Sequence, residues 1–178
     1  SCLDIGCSTG LLLTKIRQKL LKRKISFIGL DTEKGMIKES RKKDKSIKFI
    51  NKDYLNYKSK KQDMIISYYT AQFIPPKKRH FFYNKIYKDL NWGGALILFE
   101  KIRAPDARFQ DIYSLIYQEY KIDRGHDYAS IVAKSKSLKG VLEPFTDRGN
   151  LRLLINAGYK DICSISQWVN FKGYLCIK

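Results

Sequence analysis

The chain has 178 residues and a formal net charge of +18, from 35 lysines and arginines against 17 aspartates and glutamates. This length fits one domain with a sizeable core, and no apolar run reaches the about 18 residues that a transmembrane helix needs. The ordinary apolar fraction of 44% argues against a disordered chain. The charge favours a polyanionic partner such as RNA, but lysines are spread over the whole chain, so an AT-biased genomic composition explains it as well.

Apolar runs alternate with segments of helical period along the chain. Five strands are predicted first, in SCLDI (1–5), ISFIGLD (25–31), SIKFINKD (46–53), QDMIISYY (62–69) and GGALILFEK (93–101). Helices are predicted between them in TGLLLTKIRQKLLKR, TEKGMIKESRKK and PPKKRHFFYNKIYKDL, and then at about 106–122, 128–140 and 146–157. Two strands, KDICSISQW and FKGYLCIK, end the chain.

This alternation with continuous apolar strands is typical of an α/β fold with a mostly parallel sheet and helices on both faces. The short turn between the two final strands allows antiparallel pairing but no parallel crossover. We therefore predict about seven strands, the last one antiparallel and inserted beside the fifth. We expect a single domain over residues 1–178 and interpret Ser1 as a chain boundary, with an N-terminal segment missing before it.

Ligands of open parallel sheets bind beyond the carboxyl ends of the strands, and three polar features of this sequence lie there. The turn DIGCSTG holds Gly6 and Gly10, which permit close backbone approach, and the amides that follow favour a negative group. Asp31 ends the second strand and can accept both hydroxyls of a ribose or cap the next helix. Asp53 follows the third strand and either meets an adenine or is an ordinary turn aspartate.

The segments LDIGCSTG, GLD, NKDYLNY and LNWGGALILFEK resemble, in this order, the motifs of class I S-adenosylmethionine-dependent methyltransferases. The resemblance covers essentially the whole chain and implies a Rossmann-like sheet that binds S-adenosylmethionine or S-adenosylhomocysteine. It implies a turn beside the methionine part, Asp31 on the ribose, and Asp53 with Tyr54 on the adenine. The cofactor residues that it implies are Asp4, Gly6, Cys7, Ser8, Gly10, Asp31, Thr32, Asp53, Tyr54 and Tyr68. Dinucleotide oxidoreductases use a similar turn, but they favour G-x-G-x-x-G and a different sheet ending.

The segments YTAQFIPPKKRHFFYNKIYKDLNWGGALILFEKI and INAGYKDICSISQWVNFKGYLCIK resemble the carboxy-S-adenosylmethionine synthases, as does Ser8 in the first turn. That family converts S-adenosylmethionine and prephenate into carboxy-S-adenosylmethionine, a carboxymethyl sulfonium used for wobble-uridine modification of tRNA. The resemblance implies a cytoplasmic transferase, a homodimer and no membrane partner. It implies a substrate side of Tyr69, Gln72 and Phe73. It also implies Lys136 facing the new carboxylate, with Arg103, Arg124 and Arg148 as alternatives.

Two positions depart from that family. Lys136 stands where the family has an arginine, and a lysine keeps the charge but loses the bidentate fork. Tyr68 replaces an asparagine near the end of the fourth strand. Two alternatives therefore stay open, an ordinary methyltransferase acting on a small molecule or RNA and a non-catalytic module that binds RNA or a protein partner.

Two further sets of residues allow simple structural interpretations. The four cysteines, Cys2, Cys7, Cys163 and Cys176, lack CxxC spacing and lie in or beside apolar runs, so we expect buried free thiols and no metal site. Tyr113, Tyr117 and Tyr120 recur at helical spacing and are expected to form a core or dimer face.

Overall fold

Seven strands form one continuous sheet in the computed structural model, which describes residues 1–178. They are β1 (Cys2–Ile5), β2 (Phe27–Asp31), β3 (Lys48–Asn51), β4 (Gln62–Tyr68), β5 (Leu90–Lys101), β6 (Asp161–Trp168) and β7 (Phe171–Ile177). The order across the sheet is β3-β2-β1-β4-β5-β7-β6. β7 is antiparallel to both of its neighbours, and the other pairs are parallel. The predicted α/β sheet, with its last strand reversed beside the fifth, is confirmed.

Six helices connect the strands: α1 (Leu11–Lys19), α2 (Lys34–Lys43), α3 (Pro76–Asp89), α4 (Ala107–Asp123), α5 (Tyr128–Ser137) and α6 (Asp147–Ala157). Pro76 occupies the first turn of α3, where its missing amide costs nothing. The side chain of Thr146 accepts from the amide of Gly149 and caps α6, which ends at Gly158 with a φ of 115°. No helix is long and apolar enough to cross a membrane.

Two buried clusters lie on opposite faces of the sheet. Successive side chains of a strand point to opposite faces, so Leu3 packs towards α3 and α6 while its neighbour Cys2 packs towards α1 and α2. Ile65 and Ile66 on β4 divide in the same way. The strands are thus apolar on both faces, as in sheets that are covered by helices on both sides.

Two predicted boundaries are wrong. Helix α1 ends at Lys19 although helix was predicted to Arg23, and Leu21, in the predicted extension, is 66% exposed. Strand β5 begins at Leu90, before the predicted GGALILFEK, and a register shift follows between Gln62 and Met64 on β4. The glycines at this bulge accommodate it, since Gly93 has a φ of 73°.

Candidate active site

The turn after β1 is folded tightly against the loop after β4. Gly6 has a φ of 72°, and a Cβ at this position would lie 2.4 Å from Oγ1 of Thr70. The same hydroxyl donates to the carbonyl of Ile5 at 2.9 Å. Glycine is therefore required at position 6 for two reasons: the backbone is left-handed, and Thr70 occupies the space that a Cβ would fill.

The carboxylate of Asp31 orders the turn after β1 and the start of α2 together. Its Oδ2 accepts from the amide of Ser8 at 2.8 Å, and its Oδ1 accepts from the amide of Glu33 at 2.8 Å. A carboxylate offers about four acceptor positions, so both oxygens retain capacity for hydroxyl donors. The capping and ribose-binding interpretations of Asp31 are therefore compatible with each other.

A cavity of about 250 Å³ opens at the carboxyl ends of β1, β2 and β3. Five residues predicted from the sequence line it: Gly6, Asp31, Thr32, Asp53 and Tyr54. Phe73, predicted for the substrate side, lines it as well. The rest of its lining is mostly apolar and consists of Ile5, Leu30, Leu55, Ile74, Pro75 and Phe82. Three further polar or charged residues complete the lining: Lys52, Thr70 and Lys78. Acidic acceptors beside an apolar wall fit the hydroxyls and the planar base of a nucleoside.

Asp53 and Tyr54 have structural partners of their own. Oδ1 of Asp53 accepts from the amide of Leu55 at 2.9 Å and caps a short 3₁₀ helix, Tyr54–Asn56. The hydroxyl of Tyr54 donates to Oδ2 of Asp89 at 2.8 Å, and burial together with this carboxylate raises the pKa of Tyr54 above its ordinary value. Tyr54 thus offers the cavity only its ring, which meets Phe82 edge to face.

The other predicted cofactor residues lie outside the lining of this cavity. Gly10 packs against Phe49, whose ring would lie 2.5 Å from a Cβ. Cys7 is buried in the cluster under α1 and α2, where burial raises the pKa of its thiol. Ser8 contributes its amide to Asp31, and Tyr68 packs against Tyr69 and Phe99.

Asp4 is buried in β1 with one carboxylate oxygen, Oδ1, that has no hydrogen-bond partner. Burial raises the pKa of Asp4 to about 7, and the negative charge of Asp31 adds to this shift. Asp4 also lies outside the lining of the cavity. Its ionisation is therefore governed by the protein interior and by the neighbouring Asp31.

A second cavity, of about 980 Å³, lies between the end of β5, α4 and α5. We call it the basic cavity, because its lining contains no aspartate or glutamate but eight basic side chains: Lys101, Arg103, Lys121, Arg124, His126, Lys134, Lys136 and Lys139. The predicted residues Gln72, Lys136, Arg103 and Arg124 line it, whereas Arg148 is exposed on α6 outside it. Lys101 and Lys121 were not predicted, because nothing in the sequence indicates that residues 20 positions apart share one cavity.

A single 3₁₀ turn, Ala71–Phe73, separates the two cavities. Gln72 faces the basic cavity and Phe73 faces the cavity at β1. Oε1 of Gln72 accepts from the amide of Lys101 at 2.9 Å. The turn is therefore tied to the end of β5 by a hydrogen bond and forms a common wall of both cavities.

Two buried ionisable side chains, Glu100 and Arg79, hydrogen-bond to this turn. Oε1 of Glu100 accepts from the amide of Ala71 at 2.9 Å, and burial raises the pKa of Glu100 to about 8. Arg79 is 2% exposed and donates to the carbonyls of Gln72 at 3.1 Å and Ile74 at 2.9 Å. Its guanidinium also lies 4.1 Å from the ring centroid of Phe145. These contacts fix the path of the turn on both sides.

Several other residues have surroundings that differ from those expected. Tyr69 lines neither cavity; it adopts a φ of 57° and packs its ring against Phe171. Helix α4 has no buried residue, so its tyrosines form no core face, although Tyr117 contacts Trp168 and Phe171. Cys163 is exposed on β6, while the other three cysteines are buried.

Comparison with known proteins agrees with this geometry. Residues 2–94 match the family model described as a methyltransferase domain. The carboxy-S-adenosyl-L-methionine synthase of Campylobacter lari is 34% identical over 179 residues, covering 98% of this chain and 76% of that protein. The synthase of Staphylococcus epidermidis is 37% identical over 177 residues, covering 98% and 77%.

Solved structures support the same fold. Human N-acetylserotonin methyltransferase in complex with SAM matches 99% of this chain with a TM-score of 0.68 at 16% identity. PigF with SAH matches 99% with a TM-score of 0.70 at 15% identity. The chain spans about half the length of these two structures, 47% and 50%.

The fold and the sequence matches define a class I S-adenosylmethionine-dependent transferase, with S-adenosylmethionine as its cofactor, as predicted. Within that class, the chain belongs to the carboxy-S-adenosyl-L-methionine synthase family.

Proposed function

We propose that this chain forms carboxy-S-adenosylmethionine from S-adenosylmethionine and prephenate, in the service of tRNA wobble-uridine modification. One observation carries the proposal: a cavity lined by eight basic and no acidic side chains adjoins the cofactor cavity across one 3₁₀ turn. Prephenate carries two carboxylates, and a surface of one charge sign concentrates ligands of the opposite sign. The relatives named for this synthase activity, at 34% and 37% identity, support the same reaction.

The residues of the cofactor cavity have separable tasks in this proposal. Asp31 accepts the ribose hydroxyls, and its two backbone donors hold the carboxylate in place. Asp53 and the ring of Tyr54 border the adenine. When bound, S-adenosylmethionine supplies a carbon that its sulfonium activates. The chain therefore contributes alignment of the two ligands, which accounts for large rate effects in bimolecular reactions.

The basic cavity orients the anionic cosubstrate. Lys136 is exposed on the last turn of α5 and faces the new carboxylate in this proposal, with Arg103 and Arg124 on the same lining. A lysine acts as a point charge where an arginine would bind both carboxylate oxygens. The cavity compensates with several cations at once.

The reaction is tested by incubating the protein with S-adenosylmethionine and prephenate and analysing the products by mass spectrometry. The expected result is a sulfonium heavier than S-adenosylmethionine by one carboxylate, absent without prephenate and absent with Asp31→Ala. A protein that binds S-adenosylmethionine but yields no such product with prephenate would overturn the proposal.

An ordinary methyltransferase is the second candidate function. It is favoured by Lys136 and Tyr68, the two departures from the family pattern, and by the size of the basic cavity, about 980 Å³. Its acceptor is an anionic small molecule or RNA, given the net charge of +18. The same assay distinguishes it, because transfer of a methyl group leaves S-adenosylhomocysteine and a methylated acceptor.

We also propose a cytoplasmic homodimer. Helix α4 has no buried residue and exposes Phe109, Ile112, Leu115 and Ile116, an apolar surface larger than isolated exposed side chains would give. Trp168 and Ile165 on the neighbouring edge strand β6 are exposed as well. A second copy of the chain covers these side chains in the proposed dimer. Free cysteines fit a reducing compartment.

A further inference from the structure

Three cations at one side of the basic cavity lack any counter-charge. Lys101 ends β5, Arg103 follows two residues later, and Lys121 lies on α4. None of them forms an ion pair. Burial lowers the pKa of Lys101, and the charges of Lys121 and Arg103 lower it further. A group of like charges that is partly desolvated destabilises the fold unless an anion joins it.

An aromatic ring holds two of these cations together. Nζ of Lys101 lies 5.3 Å from the ring centroid of Tyr117, and Nζ of Lys121 lies 4.6 Å from it. The ring itself packs against Phe171, with centroids 5.0 Å apart. Attraction between each ammonium and the ring offsets part of the repulsion between the two ammonium groups. The two charges are therefore held in place before any ligand arrives.

Lys101 also lies beside the wall that both cavities share. Oε1 of Gln72 accepts from the backbone of Lys101, which leaves the NH₂ group of that amide, on the lining of the basic cavity, without a partner in the chain. The next residue, Phe73, lines the cofactor cavity. Lys136, by contrast, is exposed on α5. A half-buried cation binds an anion more strongly than an exposed one, because solvent screens it less.

We propose that Lys101 and Lys121, paired across Tyr117, bind a carboxylate of the anionic cosubstrate, with the amide of Gln72 as a further donor. Lys101 is then a specificity-determining residue for the cosubstrate, whereas Lys136 keeps its proposed place beside the carboxylate of the product. This assignment rests on the proposed function for the identity of the cosubstrate, but not for the existence of an anion site. The shared chemistry is a small organic acid with two or more carboxylates.

The test is a calorimetric titration of the protein, loaded with S-adenosylhomocysteine, with prephenate and separately with citrate as a second polycarboxylate. Lys101→Met is expected to weaken prephenate binding by about 30-fold, the low end of the cost of removing one partner of a hydrogen-bonded charge pair, because Lys101 is half-buried. The conservative variant Lys101→Arg is expected to keep most of the wild-type affinity for prephenate. Lys136→Met weakens binding only a few-fold, and Lys58→Met, on an exposed loop outside both cavities, leaves it unchanged.

A structural role for Lys101 would give a different pattern. We expect Lys101→Met and Lys121→Met to bind S-adenosylhomocysteine with unchanged affinity. Their Tm should be equal to or higher than that of the wild type, since each substitution removes a repulsive charge. Wild-type affinity for prephenate and citrate in both variants would overturn the inference, as would failure of both acids to bind the wild type. Prephenate binding that depends on Lys101 without product formation would overturn the proposed function alone.

Discussion

The carboxylate of Asp31 accepts a hydrogen bond of 2.8 Å from the backbone amide of Ser8, which joins the end of β2 to the turn after β1. The second carboxylate oxygen accepts from Glu33 at the same distance. One side chain therefore fixes two of the elements that border the cofactor cavity. This relationship makes Asp31 the natural first target of mutagenesis.

We predict that Asp31→Ala abolishes cofactor binding and leaves the fold intact. Loss of charged hydrogen bonds to the ribose hydroxyls, each worth about 1.5–3 kcal/mol, lowers the affinity for S-adenosylhomocysteine by about 100-fold or more. Calorimetry measures the affinity and circular dichroism checks the fold. Asp44→Ala is the matched control, because Asp44 accepts from the amide of Ser46 at 2.9 Å far from the cavity. Unchanged affinity in Asp31→Ala would restrict Asp31 to its capping contacts.

Gly6→Ala should both destabilise the protein and impair cofactor binding. The added methyl would lie 2.4 Å from Oγ1 of Thr70 in a backbone with a φ of 72°. Gly140→Ala separates the two effects, because Gly140 has a φ of 74° and open space around it. Backbone strain alone costs about 1–2 kcal/mol, so urea unfolding should give this loss for Gly140→Ala and a larger loss for Gly6→Ala. Equal losses for the two variants would contradict the steric argument.

The buried carboxyl of Asp4 should make stability depend on pH. Its pKa is raised from 3.8 to about 7, so the folded protein favours the protonated form. At a pH below the pKa that Asp4 has in the unfolded chain, 3.8, ionisation of Asp4 does not affect the free energy of unfolding. The free energy of unfolding then decreases as the pH rises from there towards 7. Asp4→Asn removes this decrease, and it should raise Tm more at pH 8 than at pH 4. A Tm difference that is the same at both pH values would show that Asp4 is not the titrating group.

Arg79 should be essential for the common wall of the two cavities. Arg79→Met removes the side-chain donor to the carbonyl of Ile74 and leaves the carbonyl of Gln72 with the amide of Glu143 alone. It also removes the positive charge that acts on the buried Glu100. Leaving a buried hydrogen-bonding group without its charged partner costs about 1–3 kcal/mol. Urea unfolding measures this cost, with Lys77→Met, an exposed position on the same helix, as the control. A loss below that of a surface substitution would contradict the assigned role.

The apolar face of α4 should control the oligomeric state. Leu115 is 57% exposed in the single chain. Leu115→Glu places a charge in the proposed dimer interface, and sedimentation should change from dimer to monomer with the fold retained. Lys134→Glu on α5 introduces the same side chain outside this apolar face and should leave the dimer unchanged. A wild-type protein that sediments as a monomer at all concentrations would rule the dimer out.

The number of strands, the place of the antiparallel last strand beside the fifth and the convergence of Gly6, Asp31 and Asp53 could be predicted from the sequence. Each of these residues follows its own apolar strand, and parallel strands bring their carboxyl ends to one edge of the sheet. Gly10 fits the same motif, but the requirement for glycine there comes from the ring of Phe49, which would clash with a Cβ. Phe49 is 39 positions away in the chain and contacts Gly10 only after folding.

The basic cavity could not be predicted in the same way. Arg79 lies in the run PPKKRH beside two lysines, and nothing local indicates that this one cation is buried under a 3₁₀ turn. Lys101 and Lys121 lie over the same ring, that of Tyr117, because α4 folds back over the end of β5. Since α4 has no buried residue, the spacing of its apolar residues does not indicate which part of the sheet it lies against. Long-range side-chain pairing depends on tertiary packing, which local patterns do not encode.

Gln72 and Phe73 are consecutive residues that face different cavities. A ligand that shifts the backbone of either residue therefore also alters the wall of the opposite cavity. Such coupling is reciprocal. If bound S-adenosylmethionine raises the affinity for the second ligand by some factor, the second ligand raises the affinity for S-adenosylmethionine by the same factor. At equilibrium, positive coupling of this kind raises the population of the ternary complex relative to either binary complex.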